Sequence, residues 1–179
     1  YSPALVGAHL ELIESVAQRL ADPYDSYTPQ GERTAFSWNL GPGDRAVIEL
    51  PGPAAVTELA LKVSAPELER ALRETLLIAT WDEREEPSIW SPVGDFFGGS
   101  PGLNPFESLP LGILPGGMMY SRWYMPFAKK ATIEVVNEGD QVVSIEGSLV
   151  HRLIEWHDGL AHFHAKWRQQ SRLSNLWDW

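Results

Sequence analysis

Thr34-Ala35-Phe36-Ser37-Trp38-Asn39-Leu40-Gly41-Pro42-Gly43-Asp44-Arg45-Ala46-Val47-Ile48-Glu49-Leu50-Pro51-Gly52-Pro53 decides the fold. Phe36, Trp38 and Leu40 alternate with Ala35, Ser37 and Asn39. After a Gly-Pro-Gly-Asp turn, Ala46, Ile48 and Leu50 alternate with Arg45, Val47 and Glu49. A period of two places every second side chain on one face, so each run predicts a half-buried strand. Beyond the Pro51-Gly52-Pro53 break, Thr57, Leu59, Leu61 and Val63 continue the same period against Glu58, Ala60 and Lys62.

The pattern extends outward in both directions. Pro66 to Arg73 reads as one or two helical turns, and Thr75 to Trp81 is apolar enough for a central strand. Pro87 to Pro92 predicts a short edge strand, with proline at its ends. Strands resume from Met119 to Phe127 and at Ala131, Ile133 and Val135. Asn137-Glu138-Gly139-Asp140 predicts a hairpin into Val143, Ile145 and Leu149, running as far as Trp156. His157-Asp158-Gly159 turns the chain, and Ala161, Phe163, Ala165 and Trp167 alternate in a last strand. Upstream, Ser2-Pro3 is a helix start, and Leu5, His9, Leu12, Ile13, Val16 and Leu20 fall at helical spacing until Pro23. About nine strands and one helix predict an all-β fold: a β-sandwich of two antiparallel sheets, of the Greek-key or jelly-roll kind, with an N-terminal α-helix. The domain reading is a helix over 1–25, a sandwich over 26–170 and a tail over 171–179.

Composition narrows the function. The 179 residues carry a net charge of −10, which opposes a surface built for nucleic acid or anionic lipid. The helix has Glu11 and Glu14 on its polar face rather than a basic stripe, so it is expected to pack on the domain or on a neighbouring subunit rather than on a membrane. No apolar run approaches the roughly 18 residues of a membrane span. There is no cysteine, hence no disulfide, thiol nucleophile or Cys-ligated zinc. The chain begins with Tyr rather than Met, and no charged-then-apolar leader is seen, which favours the cytoplasm. Fifteen Gly and 14 Pro suit many short strands joined by turns, and eight Trp supply packing, interface or sugar-stacking faces. The Gly/Pro-rich stretch 98–117 predicts a long loop at an oligomer contact or a site.

Chemical motifs are few. No phosphate loop, nucleophile elbow or zinc-protease helix is present. His162-Phe163-His164 places two imidazoles on one face of the last strand, but Lys166 and Arg168 follow on that face and oppose a metal; no cofactor or metal is expected. Asp82, Glu83, Glu85 and Glu86 read as a solvated turn. Asp95, in Pro92-Val93-Gly94-Asp95-Phe96-Phe97-Gly98, is either held by turn amides or presented at a cleft. Glycoside hydrolysis needs two carboxylates facing one bond, and the sequence supplies no second partner.

Several segments together resemble one family. Trp81-Asp82-Glu83, Pro87-Ser88-Ile89 and Pro92-Val93-Gly94-Asp95-Phe96-Phe97-Gly98 are similar to its "WDGE…PSV…PLGDFFG" signature. Tyr120-Ser121-Arg122-Trp123-Tyr124-Met125-Pro126-Phe127 with Lys130-Ala131 resembles its "YWPMPF…SA" segment. Asn137-Glu138-Gly139 and His162-Phe163-His164-Ala165-Lys166-Trp167-Arg168 resemble its "NEG" turn and "YFHAQWR" strand, and Gly52-Pro53 its Gly-Pro turn. The family is that of difructose dianhydride synthase/hydrolase and α-fructofuranosidase-like glycoside hydrolases, and the likeness spans roughly Ser26 to Arg168. It implies a tandem jelly roll assembled as trimers or hexamers, acting on fructose- or arabinose-containing furanosides.

The chain departs from that pattern. It ends soon after Arg168, where the family begins a second jelly roll that holds its paired catalytic glutamates, so no residue here inherits their role. The "SSYDRTGGN" segment is altered to Ser26-Tyr27-Thr28-Pro29-Gln30-Gly31-Glu32-Arg33, and the Gly of "WDGE" is missing after Asp82. The expected function is therefore a glycoside-hydrolase-like domain whose site is completed by a second domain or chain. The alternatives are a non-catalytic, self-assembling capsid-like protein and a carbohydrate-binding module. If sugar binds, the expected residues are Asp95 with Trp81, Arg122, Trp123 and Tyr124: carboxylate and guanidinium for hydroxyls, aromatic faces for stacking.

Overall fold

In a computed structural model, the structure describes residues 6–169 apart from Ala8. The Ser2-Pro3 helix start, Leu5 and the 171–179 tail lie outside the described residues. Strand accounts for 43% and helix for 15%, which makes the protein the expected all-β sandwich with an N-terminal helix.

Among the described residues the helices and strands run in the order α1 (Leu10–Ala21), β1 (Glu32–Leu40), β2 (Arg45–Pro51), β3 (Ala54–Ser64), α2 (Leu68–Glu74), β4 (Thr75–Trp81), β5 (Ile89–Pro92), α3 (Val93–Phe96), β6 (Phe106–Glu107), β7 (Leu111–Ile113), β8 (Met119–Ser121), β9 (Met125–Phe127), β10 (Lys130–Asn137), β11 (Val143–Leu153) and β12 (Ala165–Lys166). One sheet has the order β1-β11-β3-β8-β7-β6, with β9 also paired to β3. The other has the order β12-β5-β4-β10-β2. The alternating residues of the opening stretch meet between them. Leu40, Leu61, Val63, Ile145, Leu149, Met119 and Phe127 from the first sheet pack against Leu50, Leu77, Ala79, Trp81, Ile89, Ala131 and Ile133 from the second.

Strand β3 departs from the expected half-buried alternation, because it is buried on both faces from Ala54 to Leu61. Its register on β11 slips between Val150 and His151, so that Thr57 is an extra residue and donates its Oγ1 to the Val150 carbonyl at 3.3 Å. The slip puts Val56 and Ala54 in the core with Leu59 and Leu61, and turns Glu58 to the outer face. Beside it, β11 approaches so closely that a Cβ on Gly147 would collide with the Ala60 carbonyl and the Phe36 ring.

The connections correct several expectations. Asn137-Glu138-Gly139-Asp140 is not a hairpin, for β10 and β11 belong to different sheets. The buried Asn137 instead ties two crossovers together. Its Nδ2 faces the carbonyls of Leu40 (3.0 Å), Gly41 (3.1 Å) and Gln141 (2.8 Å), and its Oδ1 accepts from Gly139 N (3.0 Å). The 98–117 loop contains β6 and β7, and Met119–Phe127 is broken into β8 and β9. Strand β11 stops at Leu153 rather than Trp156. The expected last strand shrinks to β12, which pairs with β5 in parallel and covers part of the expected edge, so the second sheet is not wholly antiparallel. Helix α1 buries no residue: Leu10, Leu12, Ile13, Val16 and Leu20 are 42–61% exposed, so the described part of its own domain does not cover its apolar face.

Candidate functional site

Three polar nodes stand on the sandwich, each centred on a carboxylate. At the first, β8 and β9 are interrupted by Arg122-Trp123-Tyr124, whose start is fixed by Arg122 N donating to the Pro110 carbonyl at 2.7 Å. The Arg122 side chain turns inward. Its Nε donates to Glu58 Oε2 at 2.9 Å, its Nη1 to the Pro23 carbonyl at 3.0 Å, and its Nη2 to the Tyr24 carbonyl at 3.0 Å. Tyr24, Tyr27 and Tyr120 present their rings 4.8–4.9 Å from the guanidinium. The other oxygen of Glu58 accepts from Arg33 Nη2 at 3.2 Å. A buried carboxylate is thus neutralised by two arginines, and the segment after α1 is fastened over β3.

The second node is the turn after β4. Asp82 and Glu83 both adopt left-handed backbone, φ 56° and 60°. Asp82 Oδ1 accepts from the amides of Lys129 (2.6 Å) and Lys130 (3.2 Å). Its Oδ2 accepts from Ala128 N (3.0 Å) and lies 2.8 Å from His162 Nε2. Burial pushes the Asp82 carboxyl up, but the three amides and His162 outweigh it and hold the group below its usual range. Asp82 therefore does not belong to a solvated turn, as the sequence suggested; it clamps the β9–β10 turn and docks the segment ahead of β12. Beside it, Trp81 Nε1 donates to the Phe163 carbonyl at 2.8 Å, Trp123 stacks on Phe163 at 5.8 Å, and Trp156 lies 5.4 Å from the His162 ring.

The third node holds Asp95 on α3. Arg73 Nη1 lies 2.7 Å from both Asp95 oxygens and 3.0 Å from Ser100 Oγ, and the guanidinium covers Trp167 at 5.5 Å. Asp95 joins α3 to α2 and to the start of the Gly/Pro-rich segment.

The five expected sugar-binding residues fall in different surroundings. Trp81 is fully buried, stacked on Phe127. Arg122 and Trp123 share an open recess of about 330 Å³ with Arg19, Tyr27, Leu109 and Pro110. Trp123 and Tyr124 are 41% and 42% exposed, with Arg152 over the Tyr124 ring at 5.8 Å. Asp95 belongs to its own node. Sequence reasoning passes over Glu58, assigns Asp82 to a solvated turn and reads His162 only as one of two imidazoles on a strand face. For Asp82 a signal existed, since Asp tolerates a left-handed turn and caps amides. Nothing local marks Glu58. Among the described residues, no group of three His, Asp or Glu side chains is placed to hold a metal ion, and no helix is long and apolar enough to cross a membrane.

A two-sheet β fold whose three carboxylate nodes are held by arginines and backbone amides defines the class. Residues 30–149 match the family model described as GH172 domain-like, and the chain belongs to that family. The match covers β1 to most of β11 and stops short of the His162–Arg168 segment. No curated protein matches the chain.

Proposed function

We propose that this chain is a glycoside-hydrolase-related jelly-roll domain, allied to enzymes of fructose- or arabinose-containing furanosides, whose active site is completed by a second domain or another subunit. One observation carries the reading. Within a chain that keeps the family's sandwich, Glu58, Asp82 and Asp95, which hold the three nodes, are each committed to fixed cations or backbone amides. A glycosidase needs an acid and a base or nucleophile facing one bond, free to exchange protons with substrate. The jelly-roll winding is supported by strand order. Successive strands β1, β2, β3 and β4 alternate between sheets, and β10 and β11 return to lie between β2 and β4 and between β1 and β3.

The test is an assay of the purified chain against fructofuranosides and arabinofuranosides, beside Asp95→Asn. Little or no turnover by either is expected. Robust turnover that vanishes in Asp95→Asn would overturn the reading of an incomplete site.

Assembly into a trimer or hexamer is part of the same reading. The apolar residues of α1 favour it, because they find no partner within the described domain.

A further inference from the structure

Strand β12 sets up a second aromatic surface on the outer face of its sheet. Its pairing places Lys166 beside Trp90, and Trp167 N donates to the Trp90 carbonyl at 2.9 Å. Pro87, Trp90, Lys166, Trp167 and Arg168 line an open groove of about 490 Å³, which shares no residue with the recess at Trp123. Two indoles and two cations line it, with no carboxylate among them, in a chain of net charge −10. Trp90 is 38% exposed. Glu86 meets Lys166 at 3.0 Å, but these side chains are 84% and 52% exposed, so the pair is weak and readily exchanged. Arg168 has no ion-pair partner among the described residues. At the adjoining end, Arg84 Nη1 lies 3.5 Å from His164 Nε2. Desolvation and then the positive charge of Arg84, His162 and Lys166 hold His164 below the usual histidine range.

We propose that this groove binds an acidic glycan, a short oligosaccharide bearing uronate carboxylates. The exposed Trp90 indole offers a flat apolar face to the C–H face of a sugar ring, with Trp167, one face of which Arg73 covers at 5.5 Å, at the groove's wall, while Arg168 and Lys166 supply charge-assisted hydrogen bonds to a carboxylate. The choice of a glycan rests on the family membership; the demand for a negative charge rests on the lining. The adjoining recess at Arg84 and His164 also carries Glu85 and Glu86, so the acidic unit is confined to the groove at Lys166 and Arg168.

The experiment titrates the full chain with a galacturonic acid trisaccharide, using calorimetry and the indole N–H signals of Trp90 and Trp167. Neutral maltotriose and sodium acetate serve as controls. Saturable binding of the acidic trisaccharide alone is expected, weakening as salt screens the charges. Lys166→Glu with Arg168→Glu should weaken it about a hundredfold, about tenfold for each lost charged contact, and Trp90→Ala about tenfold. Equal binding of maltotriose, an equal response to acetate, no binding at all, or unchanged affinity in the double variant would overturn the proposal. So would a fall in particle mass of the double variant, which would make the groove a subunit contact. Furanosidase activity is read separately, so failure of either reading leaves the other standing.

Discussion

Arg122 Nε and Glu58 Oε2 meet at 2.9 Å with side chains only 6% and 4% exposed, and the guanidinium is ringed by Tyr24, Tyr27 and Tyr120. Removing one member of a buried pair costs about 3–5 kcal/mol, and here it would leave Glu58 only the half-exposed Arg33 at 3.2 Å. Arg122→Ala is therefore expected to lower stability in urea unfolding by about that amount, and to release the segment around Pro23 and Tyr24 to protease. Arg122→Lys should recover only part of the loss, because a single ammonium cannot reach Glu58 and the Pro23 and Tyr24 carbonyls together. A variant that unfolds like the parent would contradict this structural role.

The Asp82 clamp makes a prediction in pH. Its folded pKa lies below the unfolded value, so its contribution is full above the unfolded value near 4 and is lost as pH falls through the folded one. Asp82→Asn is expected to cost about 1–3 kcal/mol at neutral pH, since a neutral amide cannot accept from three backbone amides and meet His162 equally well. The gap in melting temperature between parent and variant should close progressively below pH 4. A gap that stays constant down to pH 2 would remove the carboxylate from the account.

Glu83 occupies the position where the related signature has glycine, and its φ is 60°. A non-glycine residue pays about 1–2 kcal/mol for left-handed backbone, partly offset because glycine loses more freedom on folding. Its side chain is exposed and makes no hydrogen bond among the described residues. Glu83→Gly should therefore stabilise the chain by about 0.5–1 kcal/mol, read as a higher urea midpoint with unchanged slope.

Much of the sandwich was legible, because alternation at Phe36-Trp38-Leu40 and Ala46-Ile48-Leu50 depends only on which face is apolar. Sheet membership was not. The turn at Asn137 looks like a hairpin locally, yet its direction is set by a side chain reaching the Leu40 carbonyl 97 residues away. The segment at His162 alternates like a strand, but His162 is taken by Asp82 and the Phe163 carbonyl by Trp81 Nε1, which leaves ladder pairing only at Ala165 and Lys166. The same long reach hid the nodes. Arg122 reads as a free cation beside aromatics until Glu58, 64 residues earlier, faces it. Trp81 offers a sugar face in the sequence and is spent in the core. Trp123 and Tyr124 have the exposure that stacking requires.

The apolar face of α1 gives the last prediction. Leu10, Ile13, Val16 and Leu20 lie within reach of one another at spacings of three and four, and all are exposed. A helix of twelve residues is marginal alone in water and gains its stability from packing. Since the described domain offers it no partner, its apolar stripe is expected to be covered by another subunit. Light scattering of the parent at micromolar concentration should then give a mass well above 20 kDa, with a trimer or hexamer expected. Ile13→Glu combined with Leu20→Glu should lower that mass, and far-ultraviolet circular dichroism should lose helix while retaining the β signal. A parent that scatters as a 20 kDa particle would leave the stripe without a subunit to cover it and would remove assembly from the proposed function.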